Sequence, residues 1–169
     1  MPGEVHSSVR NMKEPVSLRP VSTDDLPTFF VHQLDPEATK LAAFPSRDRD
    51  AFFNHWTTNI LGNPATACRA ILVGNHVAGY LGGWTDAVSN DRLIGYWLGR
   101  EFWGRGIASA ALAQFLQFES TRPLRAHVAK HNHGSIRVLE KAGFIRAGED
   151  AFSLPDGVRL EEFIYTLVA

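Results

Sequence analysis

Residues 93–111 read LIGYWLGREFWGRGIASAA, and the rest of the chain is organised around them. Residues 93–98 are apolar and aromatic, with Tyr96 and Trp97, the pattern of a buried strand. Residues 99–106 hold Gly99, Gly104 and Gly106 together with Arg100 and Arg105. From Ile107 the composition turns to alanine and leucine, which are good helix formers. A strand that runs through a glycine turn into a helix start presents unpaired backbone N–H groups at the positive end of the helix dipole. That is an anion site built from backbone.

Downstream of this stretch, the helix from Gly106 carries Ile107, Ala111, Leu112, Phe115 and Leu116 on one face, and Arg122-Pro123 prevents its continuation. Residues 124–128 read as a short strand. Residues 132–142 read as a helix with Ile136 and Leu139 inward and Gly143 as its stop. A strand begins at Phe144, Pro155-Asp156-Gly157 turns the chain, and residues 160–168 close it as a strand. Upstream, strands over 66–73 and 77–84 meet at Gly74-Asn75, a hairpin signal. Gly82-Gly83 inside the second predicts a bulge or a close backbone approach. Residues 16–20 form a strand candidate, and Thr23-Asp24-Asp25 offers helix-capping chemistry before Leu26, Phe29 and Phe30. Asp35-Pro36 reads as a break. Ser46 is placed as the cap of a second helix carrying Phe52, Phe53, Trp56 and Ile60, which ends at Gly62-Asn63-Pro64. Residues 1–15 read as a loose tail and 16–169 as one domain. Antiparallel hairpins around a central β-α-β unit imply an α/β (α+β) protein with a mixed sheet and helices on its faces.

Bulk composition excludes several classes. The chain has 169 residues, 44% hydrophobic and 21% charged, with a net charge of −1. That balance argues against a nucleic-acid binder held by overall charge. No run reaches the ~18 apolar residues of a membrane span. The first residues lack the apolar core of a signal peptide, so a cytoplasmic protein is expected. Cys68 is the only cysteine. It sits among strand-forming neighbours and reads as a packed thiol rather than a nucleophile.

Two constellations carry chemistry. In Trp103-Gly104-Arg105-Gly106-Ile107-Ala108 the glycines let backbone approach an anion, and Arg105 adds charge. In Asn132-x-x-Ser135, followed by Arg137-Val138-Leu139-Glu140-Lys141-Ala142-Gly143-Phe144, Asn132 serves either as helix cap or as an amide partner for a ligand. They lie about 25 residues apart through one helix and one strand, and a right-handed crossover brings both helix starts to the same sheet end.

On these residues the chain resembles the GNAT superfamily of acetyl-CoA-dependent N-acetyltransferases, and within it the branch of ribosomal-protein N-terminal acetyltransferases. The superfamily pattern is Gln/Arg-x-x-Gly-x-Gly/Ala. Gly106 and Ala108 match it, and Trp103 stands at the Gln/Arg position, as is usual in that branch. There the phrases G-Y-W-L and W-G-K/R-G-I-A recur, and N-x-x-S-x-R-V-L-E-K-x-G-F is equally characteristic. The resemblance is strong over 94–144 and weak before Thr66. It implies a mixed, mostly antiparallel central sheet flanked by helices on both faces, with acetyl-CoA as co-substrate and an amine as acceptor. No nucleic acid, membrane or metal partner is expected, and a homodimer is left open. Backbone from Trp103, Gly104, Arg105, Gly106, Ile107, Ala108 and Ser109 would hold the pyrophosphate. Leu98 and its strand neighbours would pair with the pantetheine arm, and Asn132 would meet its amides. Arg105 and Lys141 would lie near phosphates, and Ser135 near the thioester sulfur.

Acetyl transfer to an amine needs a neutral amine, a polarised thioester carbonyl and a leaving thiolate. A lysine with pKa ~10.4 needs about 4.6 kcal/mol to deprotonate at pH 7, whereas an α-amine near pKa ~7.8 needs about 1 kcal/mol. A strong base is essential for the first and optional for the second. The strand around Tyr96 supplies the N–H that polarises the carbonyl. Many superfamily members place a tyrosine acid seven residues after the asparagine, where this chain has Leu139, so Ser135 becomes the substitute candidate, with helix capping or CoA contact without proton transfer as its alternative role. Among carboxylates, Asp86, Asp91, Glu101, Glu161 and Glu162 compete as bases, beside relay through water. The candidate catalytic set is Ser135, Tyr96 and Asp91. His127, His131 and His133 lack an acidic fourth ligand and are expected on a surface loop or against a ligand rather than a metal.

Two rivals stand beside this reading. Gly104-x-Gly106-x-x-Ser109 nearly fits a dinucleotide-binding turn of an oxidoreductase. However, the next strand brings Lys130 rather than an acidic ribose partner, and only about forty residues remain for a second half. Leu139 and the absence of an obvious base motivate a non-catalytic acyl-CoA-binding module instead.

Overall fold

A computed structural model describes residues 14–43 and 45–169. Residues 1–13, most of the expected tail, lie outside them. The elements run β1 (Val16–Pro20), α1 (Leu26–Gln33), α2 (Pro36–Ala42), α3 (Arg49–His55), β2 (Ala67–Val73), β3 (His76–Thr85), β4 (Arg92–Leu98), α4 (Ile107–Phe115), β5 (Leu124–Ala129), α5 (His133–Lys141), β6 (Ile145–Ser153) and β7 (Arg159–Leu167). The strands form one seven-stranded sheet in the order β1-β2-β3-β4-β5-β7-β6. Each neighbouring pair is antiparallel except β4 and β5, which run parallel. This is the mixed, mostly antiparallel sheet that the sequence implied. Among the described residues no helix is long and apolar enough to cross a membrane.

Strand alternation assigns the helices to faces. On β2, Ile71 and Val73 join Ile94, Ile107, Leu112, Leu124, Val128 and Leu139 in the core beneath α4 and α5. Ala70, next to Ile71, turns the other way and joins Leu26, Phe29, Phe52 and Trp56 from the N-terminal helices. There Trp56 packs edge-on to Tyr80, with ring centroids 4.7 Å apart.

The N-terminal third differs from its sequence reading. Asp35-Pro36 is not a break between helix and loop. Asp35 Oδ1 accepts the Glu37 N–H at 2.9 Å, and Pro36 opens a helix of its own. Proline suits that first position because its missing N–H would have no intrahelical partner. The cap of the next helix is Asp48, not Ser46: its Oδ1 accepts the Ala51 N–H at 2.8 Å. That helix widens into a π-turn over Trp56–Leu61. Before α1, Ser22 rather than Thr23 caps a short 3-10 turn, with Asp25 closing the capping box.

Two features fix β3 against its neighbours. The register between β2 and β3 slips by one residue between Ile71 and Leu72, so the bulge lies next to Gly79 rather than at Gly82-Gly83. A Cβ on Gly79 would stand 1.9 Å from the Trp97 carbonyl oxygen. The close approach expected at Gly82-Gly83 is present: added Cβ atoms would lie 3.1 Å from the Ala67 carbonyl and 3.1 Å from Glu119 Oε2 respectively. Glu119 in turn accepts from Arg92 Nη2 at 2.9 Å and Nε at 3.2 Å, a pair sheltered where β4 begins. Burial alone would raise the Glu119 carboxyl's pKa, but the hydrogen bonds from Arg92 and Thr121 outweigh it and hold the group below the usual range.

Because a backbone carbonyl blocks the Cβ of residue 79, Gly79→Ala is expected to destabilise the protein by about 3 kcal/mol, the upper end for overpacking. Urea denaturation measures this, and a loss under ~1 kcal/mol would show that the strand can shift to admit a methyl group.

Candidate active site

The site grows from a divergence of strands. β4 and β5 pair at only two positions, Arg92↔Leu124 and Leu93↔Arg125. Beyond them β4 stays paired with β3 as far as Leu98, and β5 with β7 as far as Ala129. The two central strands therefore splay apart, and a wedge opens through the sheet. The Gly99 N–H donates to the Ala78 carbonyl at 2.9 Å, and the Trp97 carbonyl is aimed at Gly79. In an antiparallel ladder the direction alternates by residue, so the backbone groups of Tyr96 and Leu98 face the wedge. Trp103 Nε1 donates to the Leu98 carbonyl at 3.0 Å, which folds the following turn against the strand end.

That turn delivers the helix start that the sequence predicted. Gly104 and Gly106 have φ of +69° and +74°, and an added Cβ would meet nothing within 4 Å at either. Backbone conformation selects glycine here, and the space in front is open. Gly106 caps α4 without any side-chain hydrogen bond to the helix N-terminus. The first intrahelical donor is the Ala110 N–H, to the Gly106 carbonyl at 3.1 Å. The N–H groups of Ile107, Ala108 and Ser109 thus precede the ladder and are available to an anion.

Two cavities meet at the wedge. One, of about 570 Å³, lies between the glycine turn, the starts of α4 and α5, and α2; it is lined by Leu98, Trp103, Gly104, Gly106, Ile107, Ala108 and Ser109. Arg137 and Lys141 line its α5 side. The other, of about 550 Å³, opens on the opposite face among α3, β3 and β5, with Arg47, His55, Cys68, Tyr80 and His127 in its wall. They share Tyr96, Trp97, Asn132 and Ser135, and Ala42 from the end of α2. At this junction the Tyr96 hydroxyl and the Ser135 hydroxyl are hydrogen-bonded to each other, joining β4 to α5. Burial pushes the Tyr96 phenol up to about 12, with the Ser135 hydrogen bond pulling the other way. The phenol is therefore protonated at neutral pH and able to donate. Asn132 Oδ1 accepts the Ser135 N–H at 3.3 Å and so caps α5.

Ser135, Tyr96, Asn132 and the glycine turn are thus assembled in one place. Other candidates are not. Asp91 lines neither cavity; its carboxylate accepts from Arg125 Nη1 at 2.8 Å. Asp86 accepts from the Val88 and Ser89 N–H groups and from the Ser89 hydroxyl, which organises the loop before β4. Arg105 does not line the cavity either, and its guanidinium lies 5.7 Å from the Phe102 ring centroid. Leu139 is 1% exposed; it belongs to the core and its apolar side chain closes part of the second cavity without offering a proton. The histidines separate. His127 Nδ1 meets Glu162 Oε1 at 2.8 Å, His131 Nε2 meets the Lys40 carbonyl at 2.7 Å, and His133 opens α5 beside the first cavity. Among the described residues no group of three or more His, Cys, Asp or Glu could hold a metal.

Three contributions escaped the sequence. Helix α2 walls the first cavity through Ala38 and Leu41. The buried Gln33 amide clasps the Arg47 backbone, donating to its carbonyl at 3.0 Å and accepting from its N–H at 2.7 Å, which holds the 45–48 segment at the second cavity. The His127–Glu162 pair depends on β5–β7 register. The motif residue Arg137 was legible in sequence, but not its place in the wall.

A family model described as an acetyltransferase (GNAT) domain matches residues 16–145. No curated protein matches the sequence. Solved structures do. A putative acetyltransferase from T. thermophilus is 27% identical with TM-score 0.68, covering 90% of this chain and 85% of its own. RimL, a ribosomal L7/L12 alpha-N-protein acetyltransferase in complex with coenzyme A, is 20% identical with TM-score 0.74, covering 92% and 97%. Spermidine N-acetyltransferase from Vibrio cholerae, in complex with CoA and spermine, is 12% identical with TM-score 0.78, covering 90% and 95%.

Removing the Asn132 cap should cost about 1 kcal/mol, so Asn132→Ala is expected to lower stability by that amount in urea titration. No loss would mean that the helix start draws its order from packing alone.

Proposed function

The chain belongs to the GNAT acetyltransferases, and from that premise we propose that it moves an acetyl group from acetyl-CoA directly to a primary amine, on a protein or peptide N-terminus or on a small molecule, within a ternary complex. The observation that carries this reading is the meeting of two cavities at one pair of hydroxyls, Tyr96 and Ser135. One cavity presents the backbone of an anion cradle, and the other is free to hold an acceptor.

In this reading the N–H groups from Gly104 to Ser109 hold the pyrophosphate, the Trp103 N–H expected there being given instead to the Arg100 carbonyl at 3.1 Å, with Arg137 and Lys141 adding positive charge from α5. Fixed N–H groups there act without the reorganisation that water would need. The pantetheine arm lies along the open β4 edge and pairs with it as an added strand would. The amine enters from the second cavity and attacks the thioester carbonyl carbon, whose oxygen is polarised by a β4 N–H. The carbon–sulfur bond breaks, and the Ser135–Tyr96 hydroxyl pair delivers a proton to the thiolate. Cys68 supports direct transfer over an acyl-enzyme. It lines the second cavity, but burial pushes its thiol up to about 12, so it stays protonated and poorly nucleophilic.

The acceptor cavity offers Arg47, His55 and His127, and no carboxylate lines either cavity among the described residues. A polycationic acceptor finds no counter-charge in that wall. Asp91, bound to Arg125, is not kept as base. A single domain over 16–169 acting in the cytoplasm belongs to the same reading.

The test follows thiol release from acetyl-CoA against α-amino peptides, simple amines and polyamines. Turnover with one amine class is the expected result. Tight acetyl-CoA binding without any turnover would favour the non-catalytic module. Gly106→Glu should abolish acetyl-CoA binding in a folded protein, because a carboxylate would occupy the phosphate cradle; unchanged affinity measured by calorimetry would refute the placement. Ser135→Ala should slow kcat about tenfold, a modest loss for a thiolate of pKa ~8.5, with acetyl-CoA affinity within about twofold. Parallel loss in both would assign Ser135 to binding only.

A further inference from the structure

We infer that His127, held in orientation by Glu162, is the general base of the acetyl transfer, and that the dyad suits an α-amine rather than a lysine as acceptor. This rests on the N-acetyltransferase reading above and names the residue that it lacks.

The geometry begins with β5. Leu124, Ala126 and Val128 face the core beneath α4 and α5. His127, between Ala126 and Val128, points to the opposite face and lines the acceptor cavity. It also lies past the last β4–β5 pair, Leu93↔Arg125, so it sits on the part of β5 that bounds the wedge. An amine held in the acceptor cavity occupies a space that this side chain borders. Glu162 comes from β7, where Ala129↔Glu162 and Val128↔Phe163 are paired, and its carboxylate takes Nδ1 at 2.8 Å. With Nδ1–H donating to Glu162, the neutral ring carries its lone pair on Nε2, the nitrogen that Glu162 leaves free. A carboxylate that sets the tautomer of a histidine beside a substrate cavity is the arrangement of a general base and its orienting group.

Among the described residues no other cavity side chain meets these conditions, and no carboxylate lines either cavity. His55 has its Nδ1 engaged by the Asn59 amide at 3.1 Å, and burial and nearby Arg47 lower its pKa. The charged groups facing His127 are Glu162 from β7, Asp150 from β6 and Asp86 from the loop before β4, and the Glu162 hydrogen bond is the largest of the influences that raise its pKa. On its own strand, Arg125 is engaged by Asp91. Across the cavity stand Arg47 and His55.

The proton balance is complete. The ammonium R–NH3+ gives one proton to Nε2, and the resulting imidazolium passes it to solvent through the open cavity. The neutral amine attacks the carbonyl carbon. The second amine proton is matched by the one that the Ser135–Tyr96 pair gives to the thiolate, so acetyl-CoA and R–NH3+ become the amide, CoA and one released proton. The Glu162 hydrogen bond raises the His127 pKa from its ordinary value, in the direction of an α-amine, and an α-amine near ~7.8 asks far less of a histidine base than a lysine near ~10.4, which sets the substrate preference.

The experiment measures kcat/KM between about pH 6 and 9 for a peptide with a free N-terminus, and for a lysine peptide with a blocked N-terminus, in the wild type, His127→Gln and Glu162→Gln. The α-amino peptide should be preferred. His127→Gln should lose about sevenfold at pH 7, the shortfall of neutral amine for a pKa of ~7.8, and very little at pH 9, where the α-amine is already neutral, with acetyl-CoA affinity unchanged. Glu162→Gln should keep the Nδ1–H acceptor but remove its charge, moving the acidic limb to lower pH. An equal deficit of His127→Gln at both pH values, or an unmoved limb in Glu162→Gln, overturns the base assignment while the transferase reading stands. A wild type that binds acetyl-CoA but acetylates no amine overturns both.

Discussion

The structure depends on one restriction: the parallel strands β4 and β5 are hydrogen-bonded at two residue pairs and no further. A sheet interior normally satisfies its backbone on both sides. Here β3 holds one edge of β4 along its length, and the other edge faces an opening. The divergence starts beside the Arg92–Glu119 pair, which ties the beginning of β4 to the chain that follows α4. Gly83 leaves room for that carboxylate, and Gly79 leaves room for the Trp97 carbonyl. The glycines of β3 thus belong to the same device as the wedge that they border.

From this restriction the division of labour follows. The open edge and the glycine turn lie on one side, where positive φ at Gly104 and Gly106 exposes the first N–H groups of α4. Helices α1 and α3 border the second cavity on the other, while α2 reaches across to wall the first. The two sides meet at the wedge, and there the protein places the Tyr96 and Ser135 hydroxyls. Burial keeps Tyr96 in its phenol form, so the Tyr96–Ser135 pair is a neutral donor at neutral pH. His127, paired with Glu162, stands on the side of the second cavity, and the base role we propose for it suits an amine that needs only about 1 kcal/mol to lose its proton. Membership of the GNAT family accounts for the first side; the second is where the individuality of this chain lies.

Several local misreadings of the sequence share a cause. Ser22 and Thr23 are neighbours with capping side chains, as Ser46 and Asp48 nearly are, and either member of each pair can start a helix. Packing of Phe52 and Trp56 against β2 and β3 decides which one does for α3. Asp35-Pro36 supports both a chain break and a helix start, because proline is as acceptable at the first helical position as in a loop. The bulge next to Gly79 rather than at Gly82-Gly83 reflects register with β2, which no local pattern encodes.

What the sequence determined by itself was the strand–turn–helix of residues 93–111, the hairpin at Gly74-Asn75, and the Asn132 cap. Each rests on φ/ψ preferences and hydrogen bonds among residues a few positions apart. Tertiary structure alone decided which distant side chains meet. Tyr96 and Ser135 are 39 residues apart, and His127 and Glu162 are 35 apart. It also decided that Asp91 is spent on Arg125 and that His127 faces the acceptor cavity. The physical reason is that side-chain direction on a strand alternates every residue. A one-residue change in register would turn His127 into the core, and composition carries no record of that choice.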